Sequence, residues 1–275
     1  YYHILYYYNH NDQDSVSKWL NIMRPYVKKS ELWDYFFEAK RFQLNLYTNS
    51  RQYELAISEA QRMKQQSIQI NNKRGIIAAY QCLSNAYVGS QRWDEGIKAL
   101  EEAYRMLTAK DHPVDRISVL SQLISVTKAR KDNQKLLKYI QEQENILHKH
   151  IAENPSLKEG FTDVYLFNEL FYCYYYLNIN APEQAYPHLI KSKEYLNKNT
   201  YFTYRILYFD TLAQYNRTIG KYQQALNYID TTLIMLKKDF PNDYAEQLLE
   251  KARIWKQVGQ NEKACLLYTS PSPRD

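Results

Sequence analysis

The sequence contains little glycine or proline, with 6 Gly and 8 Pro in 275 residues. Both residue types destabilise helix interiors, so their scarcity favours long helices and excludes collagen-like or disordered low-complexity chains. No stretch approaches the roughly 18 consecutive apolar residues of a membrane-spanning helix, and we therefore expect no membrane insertion by this segment. A starting Met and a signal peptide are also absent, so we expect the sequence to be part of a longer protein.

Cysteines and clustered charges are scarce as well. Cys82, Cys173 and Cys265 do not form a disulfide framework, and we expect the two within the helical pattern to be buried, unreactive thiols. The formal net charge of +6 is spread along the chain, without the blocks of about five like charges that mark interaction tails. This distribution is typical of a solvated surface, so nucleic acid is not an expected partner.

Motifs for catalysis and cofactor binding are missing too. The chain has no Gly-rich phosphate loop, no HExxH and no Cys-x-x-Cys pair. His148 and His150 are two residues apart and would face different sides of a helix, which argues against a metal site. We therefore predict a non-catalytic segment without metal or cofactor, and any kinase or other catalytic domain would lie outside it.

What the sequence does contain is a motif that recurs about every forty residues: a small residue followed by an aliphatic or aromatic one, just after a short polar break. The successive motifs begin 40, 40, 49, 40 and 39 residues apart. Apolar residues at three- and four-residue spacing flank each break, so each repeat encodes two helices joined by a tight turn. The motifs are Tyr53-x-x-Ala56-Ile57, Trp93-x-x-Gly96-Ile97, Asn133-x-x-Leu136-Leu137, Pro182-x-x-Ala185-Tyr186, Tyr222-x-x-Ala225-Leu226 and Asn261-x-x-Ala264.

This arrangement resembles the tetratricopeptide repeat family, which stacks helix pairs in units of about 34 residues. The most specific segments are Ala79-Tyr80-x-x-Leu83-Ser84-x-x-Tyr87, followed by the second motif, and Leu212-Ala213, followed by the fifth. The resemblance implies an all-α, right-handed superhelical solenoid of stacked antiparallel helix pairs. We expect further helices at 15–27 and 32–47, and a partial first repeat that begins with the remnant of a helix at 1–8.

Two parts of the chain depart from the repeat. The 49-residue step contains a polar stretch from His148 to Gly160, for which we predict a longer loop. Residues 265–275 abandon helical periodicity and carry two prolines in three positions. They look like a translated sequencing adapter, so we assign 1–264 to one solenoid domain with a truncated last repeat and 265–275 to a non-native tail. A natural Pro-Ser linker is the alternative.

The resemblance also implies a binding surface, because the stacked first helices of such repeats line a concave groove. Carried over position by position, the groove is polar at its start, aromatic in the middle and basic near its end. The candidate peptide-binding residues are Arg41, Asn45, Gln81, Asn85, Lys128, Tyr174, Asp210, Gln214, Arg217, Arg253 and Lys256.

Three of these residues match a more specific site. Arg41, Asn45 and Asn85 occupy positions at which some family members bind the C-terminal carboxylate of a peptide. Such a clamp needs two further cations in the third repeat, where this chain has Ser121 and Ser125. We therefore favour solvated polar groove residues over a carboxylate clamp.

The resemblance implies recognition of a protein or peptide. The tyrosine-rich forty-residue repeats resemble those of sensor kinases and transcriptional regulators of Bacteroidota-type bacteria, which implies a sensor or assembly region of a larger signalling or regulatory protein. The alternatives are a stand-alone adaptor and a peptide-pheromone-type intracellular regulator whose DNA-binding domain lies outside this segment. A tether in a flanking part would place the segment in the periplasm, and the alternative location is the cytoplasm.

Overall fold

The structure is a computed structural model that describes residues 1–30, 32–236 and 241–269. These residues form α-helices and one 3-10 helix, Pro155–Phe161, without any strand, as the sequence predicts. The α-helices are α1 Tyr2–Asn9, α2 Gln13–Ser30, α3 Trp33–Asn49, α4 Tyr53–Gln69, α5 Lys73–Gly89, α6 Trp93–Met106, α7 Pro113–Arg130, α8 Asn133–Glu153, α9 Thr162–Asn178, α10 Pro182–Tyr195, α11 Phe202–Thr218, α12 Tyr222–Leu236, α13 Pro241–Gln257 and α14 Asn261–Thr269.

The two helices of each repeat are joined by a turn in which one residue has left-handed backbone geometry. Arg51 has φ 60° and Gln91 has φ 64°, each two positions before the next helix begins. The Gln52 N–H donates to the Tyr47 carbonyl at 2.8 Å, so α3 ends in a Schellman motif. All six predicted turns are confirmed, and a seventh joins α1 to α2. The corresponding residues of the other turns are Asn11, Lys131, Asn180, Gly220 and Gly259.

The fourth residue of each motif lies buried where the two helices of a pair meet, and in most repeats it is Ala or Gly. A Cβ on Gly96 would be 2.7 Å from Val88 Cγ2 and 3.3 Å from the Ser84 carbonyl oxygen. Glycine at this position therefore allows α5 and α6 to approach closely. The other residues at this position, all buried, are Val16, Ala56, Leu136, Ala185, Ala225 and Ala264.

The long repeat differs from the loop expected at His148. Helix α8 continues to Glu153, and the 3-10 helix follows it. Leu147 and Ile151 are both buried and lie four residues apart, so one face of α8 stays buried past His148. The helix ends just before Pro155, because proline disfavours helical geometry in the residue that precedes it.

The chain divides into two compact units, unit 1 at residues 1–147 and unit 2 at residues 148–275, and the boundary falls within α8. In unit 1 the first helices of successive repeats pack in order, α3 on α5 and α5 on α7, and α4 and α6 each pack against α5. In unit 2, α9 packs on α10 and α11, and α11 packs on α12. Each unit is therefore a stack of helix pairs. Helix α14 runs to Thr269, and residues 270–275 of the expected tail lie outside the described residues.

The interior of unit 2 holds a carboxylate. The Glu169 side chain on α9 is 3% exposed, with His188 Nδ1 at 2.7 Å and Lys191 Nζ in contact, both from α10. Burial opposes ionisation, yet the hydrogen bonds from His188 and Lys191 hold the pKa of the Glu169 carboxyl below its ordinary value. The ring of His188 stacks on Tyr172 and Tyr176, at 4.8 and 5.5 Å between centroids. These contacts join α9 to α10.

Two cysteines are also interior. Cys82 and Cys173 are buried, and burial raises the pKa of each thiol to about 12. Both thiols therefore stay protonated near neutral pH, as the sequence predicts for structural cysteines.

Candidate functional site

A cavity of about 510 Å³ opens on the first helices of the repeats of unit 1. Its walls come from α3, α5 and α7, which present matching positions because their repeats are in register. The lining residues are Tyr1, Asp34, Tyr35, Phe37, Glu38, Arg41, Arg74, Ile77, Ala78, Gln81, Asp115 and Ser118.

The cavity has an apolar floor and an amide in one wall. Phe37 and Ile77 are 1% and 8% exposed, and they belong to adjacent first helices. Gln81 is 4% exposed, and its Nε2 donates to Ser118 Oγ at 3.3 Å. This hydrogen bond ties α5 to α7 and fixes the orientation of the Gln81 amide.

The charged side chains of the cavity pair mostly with one another. Arg74 Nη1 lies 3.4 Å from Asp34 Oδ2, which joins α5 to α3. Arg41 pairs with Glu38 within one turn of α3. Burial, followed by the charge of Glu38, raises the pKa of the Tyr1 phenol, so this ring is a neutral hydrogen-bonding group at the edge of the cavity.

The residues predicted for unit 1 divide into two sets. Arg41 and Gln81 line the cavity. Asn45 and Asn85 lie one turn further along their helices, outside the lining, and Asn85 Nδ2 is 3.5 Å from Asn45 Oδ1. Lys128 is half-buried near the end of α7 and also lies outside the lining.

The contacts of the third repeat do not favour a carboxylate clamp. Ser121 Oγ accepts a hydrogen bond from Gln143 Nε2 of α8 at 2.7 Å and donates to the Ile117 carbonyl. Ser125 Oγ donates to the Ser121 carbonyl within α7. These hydroxyls are satisfied locally, and the cation at Arg41 is already paired with Glu38.

Four predicted residues of unit 2, Asp210, Gln214, Arg217 and Arg253, belong to a closed network. Asp210 accepts hydrogen bonds from Gln214 and from Gln247, both at 2.8 Å. Glu250 lies 3.2 Å from both Arg217 and Arg253. Beside these side chains only about 10 Å³ remains, which is at the lower limit for a single water molecule.

Two predicted residues of unit 2 lie outside that network. Tyr174 is half-buried on α9, and Lys256 is exposed in the last turn of α13. Neither lines the small space between α11 and α13.

The cavity residues one turn nearer the helix N-termini were not predicted from the sequence. Glu38, Ala78 and Ser118 precede Arg41, Gln81 and Ser121 by three residues each and share their helix faces. The same register, read one turn earlier, would have found them. The role of Asp115 in the cavity wall depends on the pairing of Arg41 with Glu38 and of Arg74 with Asp34. The repeat register does not predict these pairs.

Neither a metal cluster nor a membrane span emerges from the part of the chain that the structure describes. No group of three or more His, Cys, Asp or Glu side chains in it is placed to hold a metal ion. None of its helices has both the length and the apolar character to cross a bilayer.

Comparison with known proteins rests on structure, since no family model and no curated protein sequence matches the chain. A Rap protein complexed with competence and sporulation factor superposes with a TM-score of 0.70 at 12% identity, over 96% of this chain and 72% of that chain. Aspartyl phosphate phosphatase F from Bacillus subtilis gives a TM-score of 0.66 at 12% identity, over 96% and 66%.

A third similar structure belongs to a protein with a tetratricopeptide repeat sensor. The signal transduction ATPase with a tetratricopeptide repeat sensor from Pyrococcus horikoshii gives a TM-score of 0.51 at 15% identity, over 93% of this chain and 38% of that chain. The chain is therefore a helical-repeat protein. More specifically, its fold is that of tetratricopeptide repeat proteins, as the sequence resemblance implies.

Proposed function

We propose that this segment is a non-catalytic recognition module and that the cavity of unit 1 binds an extended peptide segment of a partner. The observation that carries the proposal is the cavity itself, about 510 Å³ across three successive first helices. Ligand pockets commonly measure about 300–1,000 Å³ and combine apolar walls with a few polar groups. The cavity has both.

The amides on this face suit a peptide main chain. The amide of Gln81 belongs to the cavity wall, and those of Asn45 and Asn85 lie one turn further along. A side-chain amide can donate and accept at once, as the peptide group requires. The Rap structure, which was solved with competence and sporulation factor, gives independent support for ligand binding by this fold.

Selection from a random dodecapeptide display library tests this proposal. We expect peptides that bind the wild-type chain and whose affinity falls about tenfold or more in Ala78→Phe, a loss of at least about 1.4 kcal/mol, because the new ring fills the cavity. Ala129→Phe places the same ring on an exposed position of α7 and should retain binding. Thermal unfolding of both variants checks that each is folded. Retrieval of no peptide by the wild type, or equal binding by Ala78→Phe, would sink the proposal.

We also propose that the module is the sensor or assembly region of a larger signalling protein. The tetratricopeptide repeat sensor of the Pyrococcus horikoshii ATPase supports this role. Reading the complete open reading frame tests it. A membrane span followed by a kinase or regulator domain is the expected result, whereas an upstream DNA-binding domain would favour a pheromone-type regulator and the absence of any further domain a stand-alone adaptor.

A further inference from the structure

The charges that line the cavity of unit 1 do not balance. Arg74 is paired with Asp34, and Arg41 is paired with Glu38. Asp115 is the fifth charged side chain of the wall, and no described cation lies within ion-pair distance of it. Among the side chains of the wall, one negative charge is therefore without a described partner, in a chain whose formal net charge is +6.

The Asp115 carboxylate is not used to cap its own helix. Asp115 belongs to the first turn of α7, where the N-cap is His112. The Val114 N–H donates to His112 Nδ1 at 3.3 Å, and the Asp115 N–H donates to the His112 carbonyl at 3.0 Å. The positive end of the helix dipole favours the charge, but the carboxylate oxygens remain available to a ligand.

The surfaces beside Asp115 suit the hydrocarbon part of a basic side chain. Ile77 and Ala78 form an apolar stretch of the wall on α5, and Tyr35 on α3 adds an aromatic ring that is 55% exposed. Lys and Arg side chains lay their methylene groups along apolar surfaces and keep their charged heads near polar partners. A tyrosine ring can also contact the cation directly.

We propose that Asp115 is the specificity-determining residue of this cavity and selects a peptide that carries a Lys or Arg side chain. The proposal rests on the peptide-binding function proposed above and names its ligand chemistry. The bound ammonium or guanidinium donates hydrogen bonds to Asp115, while its methylene groups lie against Ile77 and Ala78. The positive net charge of the chain opposes general attraction of cations, so the selection is local to this carboxylate.

Peptides selected from the dodecapeptide library are the probes. We expect a Lys or Arg at one shared position, and replacement of that residue by norleucine should weaken binding by about tenfold or more, as for a charge-assisted hydrogen bond. Asp115→Asn should weaken the basic peptide by a similar factor and remove the difference between the two peptides. N-terminal acetylation of the peptide should change nothing, because a side chain supplies the cation.

Glu183→Gln is the matched control, since Glu183 is an exposed first-turn acid of α10. It should keep the full preference for the basic peptide. Selected peptides without a shared basic residue, or a preference that survives in Asp115→Asn, would overturn the assignment while peptide binding itself stands. Loss of binding on acetylation would overturn it in favour of a terminal amine. A library that yields no binder would reject both proposals.

Discussion

The first helices of the two units present similar polar residues but different surfaces. In unit 1 a single hydrogen bond at 3.3 Å joins Gln81 to Ser118, and a cavity of about 510 Å³ stays open. Between α11 and α13 of unit 2, Asp210 and Glu250 each hold two partners, and about 10 Å³ remains there. Helices in the same repeat register therefore form an open face on α3, α5 and α7 and a closed face between α11 and α13.

The difference lies in where the opposite charges stand. In unit 2, Glu250 on α13 binds Arg217 on the neighbouring α11, so the ion pair closes the space between the helices. In unit 1, Arg41 and Glu38 pair within α3. The residue of α5 that corresponds to Glu38 is Ala78, which carries no charge. The pair between α13 and α11 fills the space at this point of unit 2, whereas the Arg41–Glu38 pair within α3 leaves the cavity open, although Arg74 also joins α5 to α3 at Asp34.

The largest effect among the variants that compare the two units is expected for Gly75→Ala in unit 1. A Cβ at this position would be 2.4 Å from Ser67 Oγ and 2.5 Å from Phe37 Cδ2, and both side chains are fully buried. Overpacking of this kind costs about 1–3 kcal/mol, and it pushes on a residue of the cavity floor. Urea denaturation should show a clear loss of stability.

Gly160→Ala is the control for this change, because nothing lies within 4 Å of a Cβ there. It should leave the urea midpoint nearly unchanged. Equal midpoints for the two variants would show that Phe37 and Ser67 can move aside.

The next largest effect is expected in unit 2, at Glu169→Gln, between α9 and α10. The equivalent position of the preceding repeat in unit 1 is Leu120, so a core carboxylate distinguishes unit 2. The change weakens the bonds to His188 and Lys191, and we expect a loss of about 1–2 kcal/mol at pH 7, since both partners are partly solvated. Glu194→Gln, at an exposed position on α10, should cost almost nothing.

The effect should also depend on pH, because the pKa of Glu169 is lowered in the folded state. The stabilisation is present above the ordinary carboxyl pKa and is lost as the pH falls through the lower pKa of the folded state. Unfolding curves of wild type and Glu169→Gln should therefore converge in acid. A constant difference at every pH would contradict this account.

Removing one carboxylate from each face tests the comparison directly. Asp210→Ala leaves the amides of Gln214 and Gln247 without their acceptor, and we expect a loss of about 1 kcal/mol. Asp115→Ala removes a carboxylate that has no described partner, and the loss should be at most about 0.5 kcal/mol. Thermal unfolding measures both, and the reverse order would refute the distinction between closed and open faces.

The smallest effect is expected for Asn85→Ala. Its bond to Asn45 is long, at 3.5 Å, and both side chains are half-buried, so the loss of stability should stay below about 0.5 kcal/mol. Measuring peptide affinity together with thermal unfolding distinguishes a ligand contact from a structural role. If Asn85→Ala lowers the affinity for the peptide and leaves the stability unchanged, Asn85 contacts the ligand.

Much of the fold follows from the sequence because it depends on local rules. Each second helix from α4 to α14 begins at the first residue of its motif, since a polar break, a left-handed residue and a buried small residue recur in fixed order. The prediction of a loop from His148 was wrong, because α8 continues to Glu153. The loop was inferred from the polar residues, whereas Leu147 and Ile151 keep one face of the helix buried.

The site was less predictable from the sequence. Register placed Arg41 and Gln81 on the face that lines the cavity, but it could not show that Glu38 would engage Arg41 or that Asp115 would lack a described partner. Register likewise selected Asp210 and Arg217 as groove residues, although their neighbours Gln247 and Glu250 occupy them. Pairing of long side chains depends on rotamers and on the adjacent repeat, which no single helix pattern encodes.

The regular stacking of first helices sets a length for any bound chain. Packed helices lie about 8–10 Å apart, and an extended peptide advances about 3.3 Å per residue. About three residues of an extended peptide therefore span the distance from one first helix to the next. Since the cavity spans α3, α5 and α7, its natural ligand length is about six residues, and side chains three apart in the ligand meet equivalent positions of successive repeats.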